Sequence, residues 1–284
     1  MAIELGENRY GKSAVRLLRV QRHPDRHEIC EWTVDVSCAG DLAAAYTLGD
    51  NRHVLPTDTM KNTVYALARE HPVRELEEFG LLLGRYFIGN HPQLHQVEVA
   101  LVARPWARIE VAGQPHPHAF VESAADRRRA VVQVGRDRAR VAAGIVDLVV
   151  LKSAGSGFEG FPRDRFTTLP ESRDRILATR IRADWRYGDA AVAAADFAAA
   201  FASVRRTLLE TFAAHQSRSL QHTLFAMGEA VLAALPEVEE IRLTLPNKHY
   251  LLAALAPFGL DNDGEVFVAT DEPYGLIEGI VRRG

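Results

Sequence analysis

Two alternations of apolar and polar positions open the chain. Across residues 11–20, Val15 and Leu17 alternate with Ala14 and Arg16; across 29–38, Cys30, Trp32, Val34 and Val36 alternate with Glu31, Thr33 and Asp35. A period of two marks a strand with one buried face, and His23-Pro-Asp-Arg-His27 between the runs reads as a hairpin turn. Beyond Gly40 and a short connecting segment the period changes. Met60, Val64 and Leu67 fall at helical spacing in a helix beginning near Asp58, and after the Glu70-His-Pro72 break a second helix carries Leu76, Phe79, Leu83 and Phe87 on one stripe. Alternation returns over 96–104, and strands near 106–111, 118–122 and 130–134 complete this half.

The second half repeats the order. Residues 140–152 are strand-like, and 175–187 alternate Leu177, Thr179, Ile181, Ala183 and Trp185 against Arg180, Arg182, Asp184 and Arg186. One helix then carries Phe197, Phe201, Val204, Leu208 and Phe212; another, starting near Ser219, carries Leu220, Leu224, Met227 and Val231 and closes at Pro236. Strands over 239–245 and 265–269 finish the chain. Each half thus reads strand, strand, helix, helix, strand, strand. This predicts a duplicated α+β unit, 1–137 and 138–284, with an antiparallel sheet and both helices on one face. Element order alone carries the duplication. The sheet face bearing Arg180, Arg182 and Arg186 suits subunit packing or a water-filled lumen.

With 34 Lys and Arg against 37 Asp and Glu, the net charge of −3 argues against a phosphate-backbone binder, so no nucleic-acid partner is expected. The basic run Arg127-Arg-Arg129 reads as a solvated loop-to-strand junction. Cys30 and Cys38 lie about 27 Å apart if their strand is extended, too far for a disulfide. There is no signal peptide, no apolar run of membrane length, and no Ser-Lys-Leu type ending after Val281, so a cytoplasmic location and no membrane partner are expected.

Several stretches carry candidate chemistry. Val54-Leu-Pro-Thr-Asp-Thr-Met-Lys-Asn-Thr-Val64 puts hydroxyls, a carboxylate and an amine at a helix entry, where Thr57 or Asp58 either caps the helix or serves a site. Lys12 follows the Tyr10-Gly11 bend as a strand-end lysine or a base. His116-Pro-His118 with His95 is the best metal candidate, but it lacks a Cys ligand and a His-Glu-x-x-His pattern; it reads as a Pro-stiffened loop, and no metal is assigned. Ser153-Ala-Gly-Ser-Gly157 lacks the ending of a phosphate loop, while Phe158-Glu-Gly-Phe161 offers either core plugs or a flat face for a planar ligand. Arg175, just after a turn, is surface charge or a planar fork for two hydrogen bonds. Gln221 sits in a helix first turn, either as a solvated surface residue or with its amide matching a donor-acceptor edge such as a purine's. Asn247 and His249, alternate positions after a strand ending in Pro246, form a proton-handling pair or a structural one.

Asn8-Arg-Tyr-Gly-Lys12, Thr57-Asp-Thr-Met-Lys-Asn62, His116-Pro-His118 with Phe120, and Leu151-Lys-Ser153 through Phe158 occur in one order along the chain. They are followed by Asp174-Arg-Ile-Leu-Ala-Thr179, Leu220-Gln221, Leu245-Pro-Asn-Lys-His-Tyr250 and Pro273-Tyr-Gly-Leu-Ile277. In this wording and order the chain resembles the urate oxidase (uricase) family from end to end. The resemblance implies two tandem tunnelling-fold units per chain and a barrel-like homotetramer with active sites between subunits. It also implies cofactor-free conversion of urate, dioxygen and water to 5-hydroxyisourate and hydrogen peroxide. Carried over residue by residue, it makes Lys12, Thr57 and His249 the proton relay and stacks Phe158 on the purine. Arg175 and Gln221 then clamp the polar edges, main-chain N–H groups near Asp58 and Leu220 add contacts, and Asn247 holds dioxygen or water. Thr57 and Asp58 would come from a neighbouring subunit. Leu220 stands where some relatives have Val. Two other readings compete: a tunnelling-fold cyclohydrolase, which needs a zinc site, and a purine-binding shell protein without turnover.

Overall fold

The structure is a computed structural model that describes residues 3–123 and 126–284. The chain folds into two compact units. One comprises residues through Gly144 together with Arg186–Phe201, the other Ile145–Trp185 and Ala202–Gly284.

The first unit begins with the hairpin that the opening alternation predicts, β1 (Tyr10–Arg22) against β2 (His27–Gly40), closed by a His23 N–H to Arg26 C=O hydrogen bond. A short helix α1 (Ala43–Thr47) precedes α2 (Thr57–Glu70) and α3 (Leu76–Asn90). Then come β3 (Leu94–Arg104), a separate hairpin of β4 (Trp106–Val111) and β5 (Gln114–Glu122), and β6 (Arg127–Gly135). The strands pair antiparallel in the order β1-β2-β3-β6. Helix α2 packs on β1, and α3 on β3 and β6. The face they cover presents Trp32, Val34, Val36, Val97, Val99, Leu101 and Val132, all essentially out of water, and Trp32 meets Phe79 of α3 at 5.3 Å between rings. Each such burial is worth about 1.5–3 kcal/mol.

The second unit takes in most of β7 (Ala139–Lys152) and β8 (Leu177–Tyr187), then the greater part of α4 (Phe197–Ala214), all of α5 (Leu220–Ala234), β9 (Val238–Leu252), a 3-10 turn (Ala256–Phe258) and β10 (Phe267–Arg282). Its strands follow the order β7-β8-β9-β10, with α5 on β9 and β10. On β8 the apolar set from Leu177 to Trp185 is buried, while Arg180 pairs with Asp147 at 3.2 Å and Arg182 with Asp184 at 2.9 Å. The duplicated α+β order is therefore observed, and it has residue-level echoes. The first strand of each half carries one left-handed non-glycine residue, Ala14 (φ 57°) and Asp147 (φ 64°). In each half a helix glycine admits a strand valine: a Cβ on Gly84 would lie 2.4 Å from Val134, and one on Gly228 2.5 Å from Val281.

Four expectations need correction. The 239–245 and 265–269 strands run much further: Pro246, read as a strand end, lies within β9 beside the β9–β10 register slip, where β10 takes five steps from Thr270 to Gly275 while β9 takes two. Residues 175–187 begin their strand only at Leu177. His116 and His118 lie in β5 rather than a loop, since Pro117 is tolerated in a two-stranded hairpin with an open edge. Arg128 is not solvated: it pairs with Glu75 at 2.6 Å and Glu77 at 2.7 Å and lies 5.1 Å from the Phe201 ring. Both cysteines are free thiols; burial pushes Cys38 up to about 12 and raises Cys30.

Glu77 is fully buried, and burial outweighs the adjoining Arg128 charge, pushing its carboxyl up to about 7. The unfolded chain releases this proton near pH 4.5 and the folded chain only near 7, so folding stability falls as pH rises through that window. Glu77→Gln should remove that slope, gaining on the native chain by up to about 3 kcal/mol between pH 4.5 and 7. Urea denaturation across that range measures it.

Candidate active site

In the first unit, β1 and the entry to α2 are tied by one phenol. Tyr10 Oη donates to the Leu55 carbonyl at 3.1 Å and accepts the Leu55 N–H at 2.8 Å. Lys12 follows two residues later, just before the bulge at which three steps along β1, to Val15, match two along β2; the Ala14 N–H there donates to Asp35 Oδ1 at 2.6 Å. Leu55 leads through Pro56 into Thr57, the first residue of α2. Pro56 is the N-cap and no side chain caps the helix, so neither Thr57 nor Asp58 performs the capping that the local pattern suggested. Among the described residues the Thr57 hydroxyl has no hydrogen-bond partner. Asp58 instead receives Lys61, which, with Asn62 at 3.1 Å, holds its carboxyl below the usual range; the Lys12 charge adds to this. Lys12, Thr57 and Asp58 are thus gathered by one tyrosine and one helix start.

In the second unit, the Ser153–Gly157 stretch leads to an aromatic plate. Phe158 stacks on Phe161 at 4.9 Å, with 13° between the rings, and the Arg175 guanidinium lies 5.0 Å over Phe158. Three main-chain bonds and one to a side chain fix this pair: Phe158 N–H to Ser172 C=O (2.7 Å), Ser172 N–H to Phe158 C=O (3.1 Å), Arg175 N–H to Ser156 C=O (2.7 Å), and Ser156 N–H to the Asp174 side-chain Oδ1 (3.0 Å). Phe158 and Arg175 are only partly buried. Arg175 Nε, however, is shut away from water without a partner, and burial lowers the guanidinium's affinity for its proton. A shielded guanidinium donor without an acceptor beside a flat ring suits a planar ligand with a polar edge.

Helix α5 starts beside this wall. Ser219 caps it, its Oγ accepting the His222 N–H at 3.1 Å, which leaves the first-turn amides of Leu220 and Gln221 free. Leu220 is buried and Gln221 exposed. Asn247 and His249 lie within β9, not after it: Asn247 pairs with Gly275 and His249 with Thr270, on either side of the register slip. Two residues apart on one strand, they share a face. Lys248 between them is held by Asp271, whereas the Asn247 and His249 side chains have no hydrogen-bond partner among the described residues.

His118 packs against His116 at 4.5 Å and His27 at 5.9 Å, while His95 pairs with Asp41 at 3.3 Å; the grouping with His95 is not formed. Among the described residues no cluster of three His, Cys, Asp or Glu is arranged to hold a metal ion. Sequence reading missed the residues that hold the site without facing it: Tyr10, Asp174, Ser156 and Ser217. Only their place inside the quoted motifs hints at Tyr10, Ser156 and Asp174. Ser217, two residues before a capping Ser219, carries no local signal of its own.

Comparison with known proteins identifies the family. The family model described as Uricase matches residues 8–133 and 141–278. A curated uricase of Arthrobacter globiformis is 47% identical over 99% of this chain and 90% of its own length, and one of Dictyostelium discoideum is 38% identical over 98% and 96%. The crystal structure of uricase from Arthrobacter globiformis superposes with a TM-score of 0.95 at 47% identity, covering 100% of this chain and 96% of that one.

A Cβ on Gly157 would lie 2.9 Å from the Arg173 carbonyl oxygen and 3.1 Å from that of Ser172. Gly157→Ala should therefore push the Phe158 plate off Ser172, its bridge partner, and cost about 1–3 kcal/mol, read as a lower midpoint in urea unfolding.

Proposed function

We propose that this chain, which belongs to the uricase family and is a urate oxidase, converts urate, dioxygen and water to 5-hydroxyisourate and hydrogen peroxide without a cofactor. The observation that carries the site assignment is the Arg175 guanidinium over Phe158, with its shielded and unpaired Nε. In this reading urate lies on Phe158, Arg175 and Gln221 address its polar edges, and main-chain N–H groups near Asp58 and Leu220 add contacts. Asn247 holds dioxygen or water above the ring. Deprotonated urate is electron-rich enough to reduce dioxygen itself, so the protein's task is to bind the anion, move protons and place the gas. Thr57, a poor base alone, passes a proton through Lys12, and His249 completes the relay.

The chain is proposed to work as a cytoplasmic homotetramer of two tunnelling-fold units per chain, 1–137 and 138–284. Thr57 and Asp58 of one subunit complete a neighbour's pocket. In support, β9 and β10 expose Leu251, Leu252, Val268, Tyr274, Leu276 and Ile280, apolar side chains of the kind that subunit contact covers. No helix among the described residues is long and apolar enough to cross a membrane.

Oxygen uptake and loss of the urate ultraviolet band, followed with chelator-treated protein, test the chemistry. The native chain should consume both reactants, and Lys12→Ala or Thr57→Ala should slow turnover at least about tenfold, roughly 1.4 kcal/mol of barrier, while still binding urate. Stoichiometric zinc lost together with activity would sink the cofactor-free reading. The shared-site assembly predicts complementation: mixing Thr57→Ala with Arg175→Ala chains, each at about a tenth of native turnover or less, should raise activity to about a quarter of native after reassembly. No recovery would place each site within one chain.

A further inference from the structure

Two buried hydroxyls join the elements that carry the proposed pocket. Ser217 and Thr223 are 1% and 0% exposed. The Thr223 hydroxyl donates to Ser217 Oγ at 2.8 Å, and Ser217 Oγ–H donates onward to the Ser219 carbonyl at 3.0 Å. Ser217 also gives its whole main chain to the aromatic wall: its N–H donates to the Gly155 carbonyl at 3.0 Å and its carbonyl accepts the Gly157 N–H at 2.8 Å. Ser156, between those glycines, accepts the Arg175 N–H. Phe158 follows directly. On the other side, Thr223 lies two residues beyond Gln221 on α5, and Ser219 is that helix's cap.

We propose that Ser217 and Thr223 are positioning residues of the urate pocket, setting the first turn of α5, with Gln221, against the plate of Phe158 and Arg175. The inference rests on the urate-binding reading above and adds to it two side chains that do not touch substrate. Each hydroxyl has one proton, and both protons are committed in a single direction toward Ser219. A buried hydroxyl stripped of its partner costs about 1–3 kcal/mol, so the local structure shifts to find another. Because Ser217 is bonded to Gly155 and Gly157 through its backbone, such a shift carries Phe158 and Arg175 with it. Gln221 stays with its helix. The distance between clamp and plate is therefore what changes, which affects binding before it affects proton transfer.

The test is urate binding under argon, where no turnover occurs, together with steady-state kinetics in air. Thr223→Val keeps the shape and removes the hydroxyl. It should raise the urate Kd and KM about tenfold while changing kcat less than about threefold, and Thr223→Ser should return both to within about twofold of native. A lowered melting temperature with unchanged Kd and KM would reduce the pair to a folding role and overturn the proposal. So would failure of Thr223→Ser to restore binding. If Thr223→Val yields no folded protein, Ser217→Ala decides, since the Thr223 hydroxyl then keeps the Ser219 carbonyl at 3.3 Å. An increase in Kd of about threefold is expected there, and no increase refutes the proposal. A native chain that binds no urate under argon removes the pocket itself, whereas native binding with equal binding by the variant removes only this inference.

Discussion

The burial of one face of each antiparallel sheet beneath its helices is the constraint from which the other features follow. Long strands with a strict two-residue period offer a dry side and a wet side, and only the dry side can be closed by α2 and α3 or by α5. Once Val34, Val99 and Leu101, or Ile181, Ala183 and Leu243, are committed inward, no strand can slip by one residue without reversing every side chain. Irregularity is then confined to places that absorb whole residues. The β1 bulge beside Lys12 and the β9–β10 slip beside His249 are two such places, and each re-aims a candidate functional side chain without disturbing the core.

The same economy governs polar groups. Among the described residues the Thr57, Asn247 and His249 side chains and Arg175 Nε have no hydrogen-bond partner, while their immediate neighbours are engaged. Lys61 takes Asp58, Lys248 takes Asp271, and Tyr10 takes both polar groups of Leu55. Fixing the neighbours locks the backbone and leaves the functional groups free, which is how a site can be rigid in position and open in chemistry.

Most of the fold was legible because periodicity reports burial directly. The α2, α3, α4 and α5 stripes and the β2 and β8 alternations each name their own buried face. What stayed hidden were features set by partners distant in sequence. Pro246 reads as a stop unless the opposite strand's slip is known, and Arg128 reads as solvated unless Glu75 and Glu77 are seen beside it. Thr57 looks like a cap because the local pattern cannot register that Pro56 already holds that place. For the site, composition and spacing left Lys12, Phe158, Arg175, Gln221, Asn247 and His249 each with an ordinary alternative; the resemblance in motif order brought them together, and the geometry then separated paired neighbours from unpaired candidates.

The two cysteines have a meaning beyond the core they help to fill. Sulfur is oxidised when the thiolate attacks peroxide oxygen, and the proposed reaction would release peroxide beside the protein's own side chains. With the Cys38 thiol out of water on β2 and pushed up to about 12 by burial, and Cys30 raised the same way, both sulfurs are held as the thiol, the form that reacts least with peroxide. Under the proposed reaction, that placement would spare both thiols over many turnovers.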